Sequence, residues 1–311
     1  MKKQVGSDII RKSFGYRMKK YRWLLLMAVV PLVYIFVFHY IPIFWGILIS
    51  LKDMKVGSTI GAAPWVGLDN YREILRNPEI LKLLKNTLRI SILSLVFGFL
   101  PPIFLTILIF DLRSAVYKKL AQTLVYIPHF FSWVIIYGIV FAFFSGQGFV
   151  NGIITGLGGR AVDFLTSRQA FVPLLVGSNI WKECGWSTIL YFAALTGVNP
   201  DLYDAAKIDG AGPLARIRAV TLPAMLPVIT FSLIMAVGGI LGTNFEQILL
   251  FYNPAVYEVG DVLDTWVYRV GLGKMQYSIG SAVGMMKAVV GVTLTVIANA
   301  VSRKVAGRSL F

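Results

Sequence analysis

The stretch DLYDAAKIDGAGPLARIRAVTLPAML (residues 201–226) is a polar interruption between two long apolar runs. Asn199, just before it, is a favourable helix N-cap, and Pro200 then takes the first helical position, where its missing N–H costs little. Gly210 is suited to a left-handed stop after roughly ten residues. Because so short a helix is unstable alone in water, packing must hold it. The sequence therefore predicts a short capped helix, a turn, and a second helix that enters the next apolar run.

The apolar runs around this stretch are long enough to cross a membrane. Of the 311 residues, 57% are hydrophobic and 14% are charged, which is too apolar for an ordinary soluble domain. A hydrocarbon core about 30 Å thick needs about 20 apolar residues in a helix. The first run is too long for the core of a signal peptide and lacks a small-residue cleavage site. We expect an all-α polytopic membrane protein with six transmembrane helices, near residues 23–51, 90–110, 120–145, 170–197, 219–250 and 276–302.

The basic residues indicate how the chain is oriented. The net charge is +15, but most Lys and Arg residues lie between the spans rather than on one soluble face, so nucleic acid is not an expected partner. The positive-inside rule places both termini in the cytoplasm. The expected organisation is a basic cytoplasmic segment at 1–22, a six-helix transmembrane domain at 23–303 with a cytoplasmic loop at 199–223, and a cytoplasmic tail at 304–311. The first segment is either an amphipathic surface helix or a disordered anchor.

The sequence contains no grouping typical of an enzyme. Cys184 is the single cysteine, and the two histidines, His39 and His129, fall in different spans, so neither a metal-ligand cluster nor a catalytic group is expected. The chain also lacks the Gly-x4-Gly-Lys-Ser/Thr loop that binds nucleotide phosphates. We therefore predict no catalytic residue, no metal and no cofactor in this chain. An ion-driven secondary transporter and a membrane-embedded glycan-processing enzyme are kept as alternative functions for this chain. Secondary transporters often have inverted repeats and more than six spans.

The opening stretch resembles the EAA loop of permease subunits of binding-protein-dependent ABC importers. That loop has Glu-Ala-Ala, three residues, Gly, nine residues and Ile-x-Leu-Pro; here Asp204 replaces Glu and Val220 replaces Ile. Segments elsewhere are similar to carbohydrate-importer permeases, most of all to the lipoprotein/polysaccharide-transport permease B subgroup. They are PWVGLDNYREIL (64–75), IPHFFSWVIIYGIVFAFFS (127–145), GWSTILYFAAL (185–195), NFEQILLFYNPAVYEVGDVLDTWVYRVGL (244–272) and SAVGMMKAVVGVTLTVIANAVSRK (281–304).

The resemblance implies a fold, partners and a coupling site. It implies the type I ABC importer permease fold in the cell membrane, with a second homologous permease, two cytoplasmic ATPase subunits that bind ATP and Mg, and an extracytoplasmic solute-binding protein that delivers an oligosaccharide. The short helix would be the coupling helix, which sits in a groove of an ATPase subunit. The residues expected to couple are Asp204, Ala205, Ala206, Asp209, Gly210, Leu222 and Pro223.

Polar residues within the fourth and fifth spans predict the sugar path. Asn179, Lys182, Glu183 and Trp186 follow helical spacing and form one stripe. A charge facing lipid costs about 3 kcal/mol or more, so such residues usually face protein or water. Lys182 and Glu183 are adjacent and about 100° apart around the helix, so we expect that they do not simply neutralise each other and that at least one has a partner elsewhere. The other path candidates are Tyr191, Asn244, Glu246, Gln247, Tyr252 and Lys287.

A second interpretation of the charges remains open. Glu183, Glu246 and Lys287 could instead form interhelical pairs that fix packing. If Lys182 and Lys287 face the cavity, an acidic oligosaccharide such as a uronate-containing one is favoured. Trp186, Tyr191 and Tyr252 offer aromatic faces on which a sugar ring can stack.

Overall fold

The computed structural model describes residues 18–306, and its regular structure is helical apart from one isolated bridge between Lys52 and Trp65. The predicted N-terminal segment and C-terminal tail lie almost entirely outside the described residues. The helices are α1 Arg22–Ser50, with a π-helical segment at Phe36–Tyr40; α2 Asp69–Arg76; α3 Pro78–Phe110; α4 Ala115–Tyr126; α5 Trp133–Phe144; α6 Phe149–Gly156; α7 Phe171–Thr196; α8 Pro200–Ile208; α9 Pro213–Gly238, with a π-helical segment at Ile217–Thr221; α10 Phe245–Phe251; α11 Tyr257–Gly260; α12 Leu263–Val267, continued by π-helical Tyr268–Gly273; and α13 Tyr277–Ala306.

The all-α prediction is confirmed, but the count of six spans is not fully confirmed. Among the described residues, five helical segments are long and apolar enough to cross a membrane: Arg22–Ser50, Pro78–Phe110, Trp133–Gly156, Pro213–Gly238 and Tyr277–Lys304. The remaining expected span, α7, has 26 residues, which is sufficient length. It carries the polar stripe at Asn179, Lys182 and Glu183 in its middle, and it is not among the five segments that contain a sufficiently long apolar stretch.

Two of the predicted spans are broken rather than continuous. The run at 120–145 divides into α4, a 3₁₀ turn at Ile127–Phe130, and α5, whose N-cap Ser132 accepts a hydrogen bond from the Ile135 N–H. Proline at position 128 cannot donate to the preceding turn, which favours the break. The run at 219–250 divides between α9 and α10, because three glycines in the sequence GGILG (238–242) weaken the helix there. Irregular backbone at membrane depth is tolerated only where it is buried in protein or lines water.

The interior of the bundle consists of three apolar clusters. One joins α5, α7 and α10 through Trp133, Phe171 and Phe251, among others. A second joins the N-terminal part of α3 to α12 and α13. A third joins the C-terminal part of α3 to α7 and α9, through Ile107 and Tyr191. The long helices α3 and α7 thus connect the coupling-loop end of the bundle, near residue 200, to the opposite end, near residue 263.

The first helix differs from the others because it is almost wholly exposed. Ser50 is the one buried residue among those of α1 that the structure describes. Its apolar side chains suit a lipid environment or a partner helix rather than water.

Candidate functional site

The coupling loop has the local geometry that its sequence predicts. The Asn199 side chain accepts a hydrogen bond from the Asp201 N–H at 3.1 Å and caps α8. At the other end, Gly210 has a φ of +77°, so it occupies the left-handed region. The N–H of Ala211 bonds to the carbonyl of Ala206 at 2.9 Å, and that of Gly210 to the carbonyl of Lys207 at 3.0 Å. These two bonds form a Schellman motif, which ends the helix sharply.

Tyr203 links helix α8 to the membrane helices. The Tyr203 hydroxyl lies 3.2 Å from the Thr221 hydroxyl, which is buried at the base of the α9 span. The Tyr203 ring also lies 6.2 Å, between centroids, from Phe110 at the end of α3. Tyr203 therefore contacts both α3 and α9. Leu222 and Pro223, the last coupling candidates, lie next to Thr221 within the same helix.

The rest of α8 presents an apolar surface to the exterior. Ile208 is 86% exposed and Leu202 is 54% exposed, while Ala205 is also exposed and Ala206 is half-buried. Leu214, just after the turn, is 72% exposed. Asp204 and Asp209 are exposed, and Asp204 pairs with Lys207 of the same helix at 2.8 Å. Exposed leucine and isoleucine on a polar loop are typical of a surface that another protein covers.

The polar stripe of α7 contacts the break between α4 and α5. The Glu183 Oε2 lies 2.8 Å from the His129 Nδ1, and the Lys182 Nζ donates to the His129 carbonyl at 2.5 Å. Lys182 is 6% exposed and also lies over the Trp133 ring, 5.6 Å from its centroid. In this conformation Lys182 satisfies a backbone carbonyl of the break and does not line an open path.

The expectation that Lys182 and Glu183 do not pair with each other is wrong, but the expected partner elsewhere is present, because both side chains contact His129. The Lys182 Nζ lies 3.4 Å from the Glu183 Oε1. Both side chains are long, and they converge on His129 although their Cα–Cβ directions diverge. Asn179 and Trp186 of the same stripe are at least partly exposed, and Trp186 stacks on the His129 ring with centroids 4.2 Å apart.

The polar residues of the fifth span take three different environments. Asn244 caps α10 by accepting a hydrogen bond from the Gln247 N–H at 3.3 Å. The Gln247 amide is buried and donates to the Leu175 carbonyl at 2.7 Å and to Ser178 at 2.9 Å, so it joins α10 to α7. Glu246 is exposed and forms no ion pair with any residue in the described range 18–306.

Lys287 is held in an interhelical ion pair. Its Nζ contacts the Asp264 Oδ1, and the other oxygen of Asp264 accepts from the Thr243 hydroxyl at 3.0 Å and from the Thr243 N–H at 3.3 Å. This network joins α12, α13 and the break in the fifth span. This geometry agrees with the interpretation that Lys287 forms an interhelical pair that fixes packing.

The aromatic candidates lie in separate places. Tyr191 is buried, and it lines, with Trp186 and Ser232, a cleft of about 500 Å³ between α3, α7 and α9. Tyr252 lies at the opposite end of the bundle, where its ring is 4.8 Å from that of Tyr257. Burial raises the pKa of Tyr252, so the hydroxyl stays neutral at physiological pH. The structure brings Trp186 and Tyr191 to one cleft but leaves Tyr252 outside it.

A charged network fixes the end of the bundle that carries Tyr252. Arg269 forms a two-pronged bond to Asp261, with atoms 2.7 Å and 3.2 Å apart. The Asp261 carboxylate, through these hydrogen bonds, raises the pKa of Arg269, which therefore stays charged. Asn86 of α3 donates to the Glu258 and Asp261 carbonyls, both at 3.0 Å. This network is structural, since its members bond to one another.

Sequence reasoning missed His129 and Asp264. His129 and Glu183 are 54 positions apart, and Asp264 and Lys287 are 23 apart, so no local spacing links either pair. A usable indication was the Pro128-His129 pair inside an apolar run, which is unusual for a continuous span. A second indication, for Asp264, was the charge of Lys287, because a lysine within a span requires a partner.

Comparison with known proteins defines the class of this protein. Residues 103–307 match the family described as binding-protein-dependent transport system inner membrane component. The chain belongs to this family and is a membrane-embedded ABC transporter permease. The family is one of permeases rather than of enzymes or ion-driven carriers.

Individual relatives resemble the chain over almost its whole length. Protein LplB of Bacillus subtilis is 40% identical over 96% of this chain and 94% of its own length. The polygalacturonan/rhamnogalacturonan transport system permease protein YteP, also of Bacillus subtilis, is 40% identical over 94% of this chain and 92% of its own. The type I importer fold is confirmed by a crystal structure of a bacterial ABC transporter that imports the acidic polysaccharide alginate. The chain of that structure that resembles this protein superposes on it with a TM-score of 0.84 and is 37% identical to it. The match covers 93% of this chain and 98% of that one.

A second solved structure includes a binding protein. It is the bacterial alginate ABC transporter in complex with an alginate pentasaccharide-bound periplasmic protein. The chain of that complex that resembles this protein superposes on it with a TM-score of 0.86 and is 35% identical to it. The match covers 96% of this chain and 99% of that chain.

Proposed function

We propose that this chain is the permease subunit of an ATP-driven importer that carries an oligosaccharide across the cell membrane. The cleft lined by Trp186, Tyr191 and Ser232 carries this proposal, because it combines aromatic faces with a hydroxyl at membrane depth. Sugars bind through stacking on aromatic rings and hydrogen bonds to polar groups. An extracytoplasmic solute-binding protein delivers the sugar, and a second homologous permease completes the path. Both termini lie in the cytoplasm.

Helix α8 couples this path to the ATPases. Its exposed Leu202 and Ile208 fill a groove of a cytoplasmic ATPase subunit, and Asp204 offers a charge at the rim of the contact. When ATP closes the ATPase pair, α8 moves and draws the α9 span with it through Tyr203 and Thr221. The membrane helices then tilt and change which side has access. ATP and Mg bind to the partner subunits, and this chain binds no cofactor.

The proposed substrate class is a uronate-containing oligosaccharide. Two similar proteins belong to transporters of acidic polysaccharides, polygalacturonan in one case and alginate in the other. The intramembrane lysines do not support this class, since Lys182 pairs with Glu183 and Lys287 with Asp264. Contacts to the sugar carboxylates are therefore assigned to the binding protein and the second permease, while this chain contributes the aromatic cleft.

Sugar-stimulated ATPase activity of the intact complex tests the proposal. The chain is purified with its second permease, both ATPase subunits and the binding protein, and hydrolysis is measured with oligogalacturonate, with a neutral maltooligosaccharide and without sugar. We expect stimulation by oligogalacturonate above the other two conditions. Equal stimulation by the neutral sugar would contradict the substrate class, and no stimulation by either sugar would contradict oligosaccharide import.

A further inference from the structure

His129 and Trp186 form a stacked pair at the edge of the cleft. Their rings are 4.2 Å apart between centroids and only 6° from parallel. Phe130 meets the same indole edge-on, at 5.7 Å and 84°. Trp186 is 43% exposed, and the indole also lines the cleft that contains Tyr191. One part of the indole is therefore covered by His129 and Phe130, and another part remains accessible from the cleft.

His129 is held by the same helix that carries Trp186. Its Nδ1 lies 2.8 Å from the Glu183 Oε2, and its carbonyl accepts from the Lys182 Nζ at 2.5 Å. Both the ring and the backbone of His129 are thus tied to α7. No other polar contact of the imidazole exists among residues 18–306.

Close contact between the backbones of α4 and α7 brings His129 and Trp186 within stacking distance. A Cβ atom added at Gly185 would lie 1.8 Å from the Val125 carbonyl oxygen, so α7 and α4 touch directly at that point. Gly185 adjoins Trp186, and Val125 lies one turn before His129. The glycine allows the break at 127–132 to approach α7 closely enough for the two rings to stack.

We propose that His129 is a positioning residue for sugar recognition, which holds the Trp186 indole as a fixed stacking surface in the cleft. This proposal rests on the proposed function. A tryptophan with 43% exposure would otherwise rotate and would lose conformational entropy each time a sugar ring stacked on it. With one side held by a parallel imidazole, the indole is already ordered before the sugar arrives. Glu183 acts through His129 by fixing the plane of the ring.

The test measures oligogalacturonate uptake by the intact complex in proteoliposomes. The variants are His129→Ala, His129→Phe, Trp186→Ala and the double variant His129→Ala/Trp186→Ala. His129→Phe keeps a ring for stacking but cannot bond to Glu183. The matched control is His39→Ala, since His39 is the other histidine and is exposed on α1. Assembly, basal ATPase activity, KM and the maximal rate are recorded for each variant.

A selective effect on KM is expected. His129→Ala should raise KM about three- to tenfold, the range of an aromatic pair, with little change in maximal rate or basal ATPase activity. His129→Phe should recover most of this loss, and His129→Ala should have no further effect once Trp186 is absent, because His129 acts through it. His39→Ala should match the wild type.

Three results would overturn the proposal. The first is an unchanged KM in His129→Ala. The second is a rise in KM on adding His129→Ala to Trp186→Ala that equals the rise in the single His129→Ala variant. The third is failure of both His129 variants to assemble, which would assign His129 to packing alone. Failure of the proposed function is seen separately, since the wild-type complex itself would then not take up oligogalacturonate.

Discussion

Gly210 is the residue on which the shape of the coupling loop most directly depends. Its φ of +77° is one that residues with a Cβ rarely adopt, and no atom lies near the position that a Cβ would take. A substitution there is therefore opposed by backbone conformation and not by crowding, at a cost of roughly 1–2 kcal/mol. Nearby Gly212 is also open but has an ordinary φ of −66°.

We predict that Gly210→Val uncouples the transporter. The valine disfavours the turn that ends α8, so the helix no longer meets the ATPase groove in the correct orientation. Sugar uptake should fall while the complex still reaches the membrane and retains basal ATPase activity. The matched control, Gly212→Val, should transport close to the wild-type rate. Normal uptake by Gly210→Val would show that the loop is only a connector.

We predict that Lys182→Met destabilises the complex and that Asn179→Ala does not. Lys182 satisfies the His129 carbonyl and the Glu183 carboxylate at a buried position, and its loss leaves both without that partner. Asn179 is half-buried and makes no side-chain hydrogen bond to another described residue. The melting temperature of the purified complex should fall by several degrees in the first variant only. An unchanged melting temperature for Lys182→Met, with uptake lost, would return Lys182 to the sugar path.

Residues whose roles are local were predictable from the sequence, and those whose roles depend on distant partners were not. Asn199 and Gly210 are confirmed as cap and stop, because both act on backbone within a few positions. The environment of Lys182 depends on His129, which lies 53 positions away. The sequence identified an unusual intramembrane lysine there but could not indicate that it is buried.

At the level of the elements, the main difference between the predicted and the observed structure is that two spans are broken. Length and apolarity predicted continuous helices at 120–145 and 219–250, and the structure interrupts both. Each break is held by a charged group from another helix, Lys182 in the first case and Asp264 in the second. Hydropathy measures transfer to lipid and does not report where a helix bends, so the breaks could be inferred only from proline and glycine positions.

We predict that the Asp264–Lys287 pair stabilises the break in the fifth span. Asp264→Asn or Lys287→Met alone should lower the yield and melting temperature of the complex, because removing one partner leaves the other polar group without its partner at a partly buried position. The double variant Asp264→Leu/Lys287→Met should be less impaired than either single variant. Asp69→Asn, which breaks the exposed Asp69–Arg72 pair, should change neither property.

Equal damage in the double and single variants would contradict this account of the pair. So would normal stability combined with loss of uptake in Lys287→Met, which would place Lys287 in the sugar path instead of in a packing role. Protein yield, melting temperature and uptake are therefore measured on the same preparations.

At the scale of the whole molecule, composition predicted an all-α polytopic membrane protein, and the resemblance of the loop at 199–223 and of several other segments to importer permeases predicted the class of protein. The family match over residues 103–307 and the alginate transporter structures confirm the permease fold. The count of six spans was not fully confirmed because α7, although long enough, is not among the five helical segments of the described residues that are also apolar enough to cross a membrane. The cleft proposed to bind sugar was harder to predict, since it joins Trp186 and Tyr191 of α7 to residues of α3 and α9, which are far apart in the sequence.

The most direct test of the central claim is uptake by proteoliposomes that contain this chain, the second permease and both ATPase subunits, with the binding protein and oligogalacturonate outside. The account predicts uptake that requires ATP inside the vesicles, stops when the ATPase subunits are omitted, and is insensitive to collapse of proton and sodium gradients. Uptake driven by either ion gradient without ATP would contradict it.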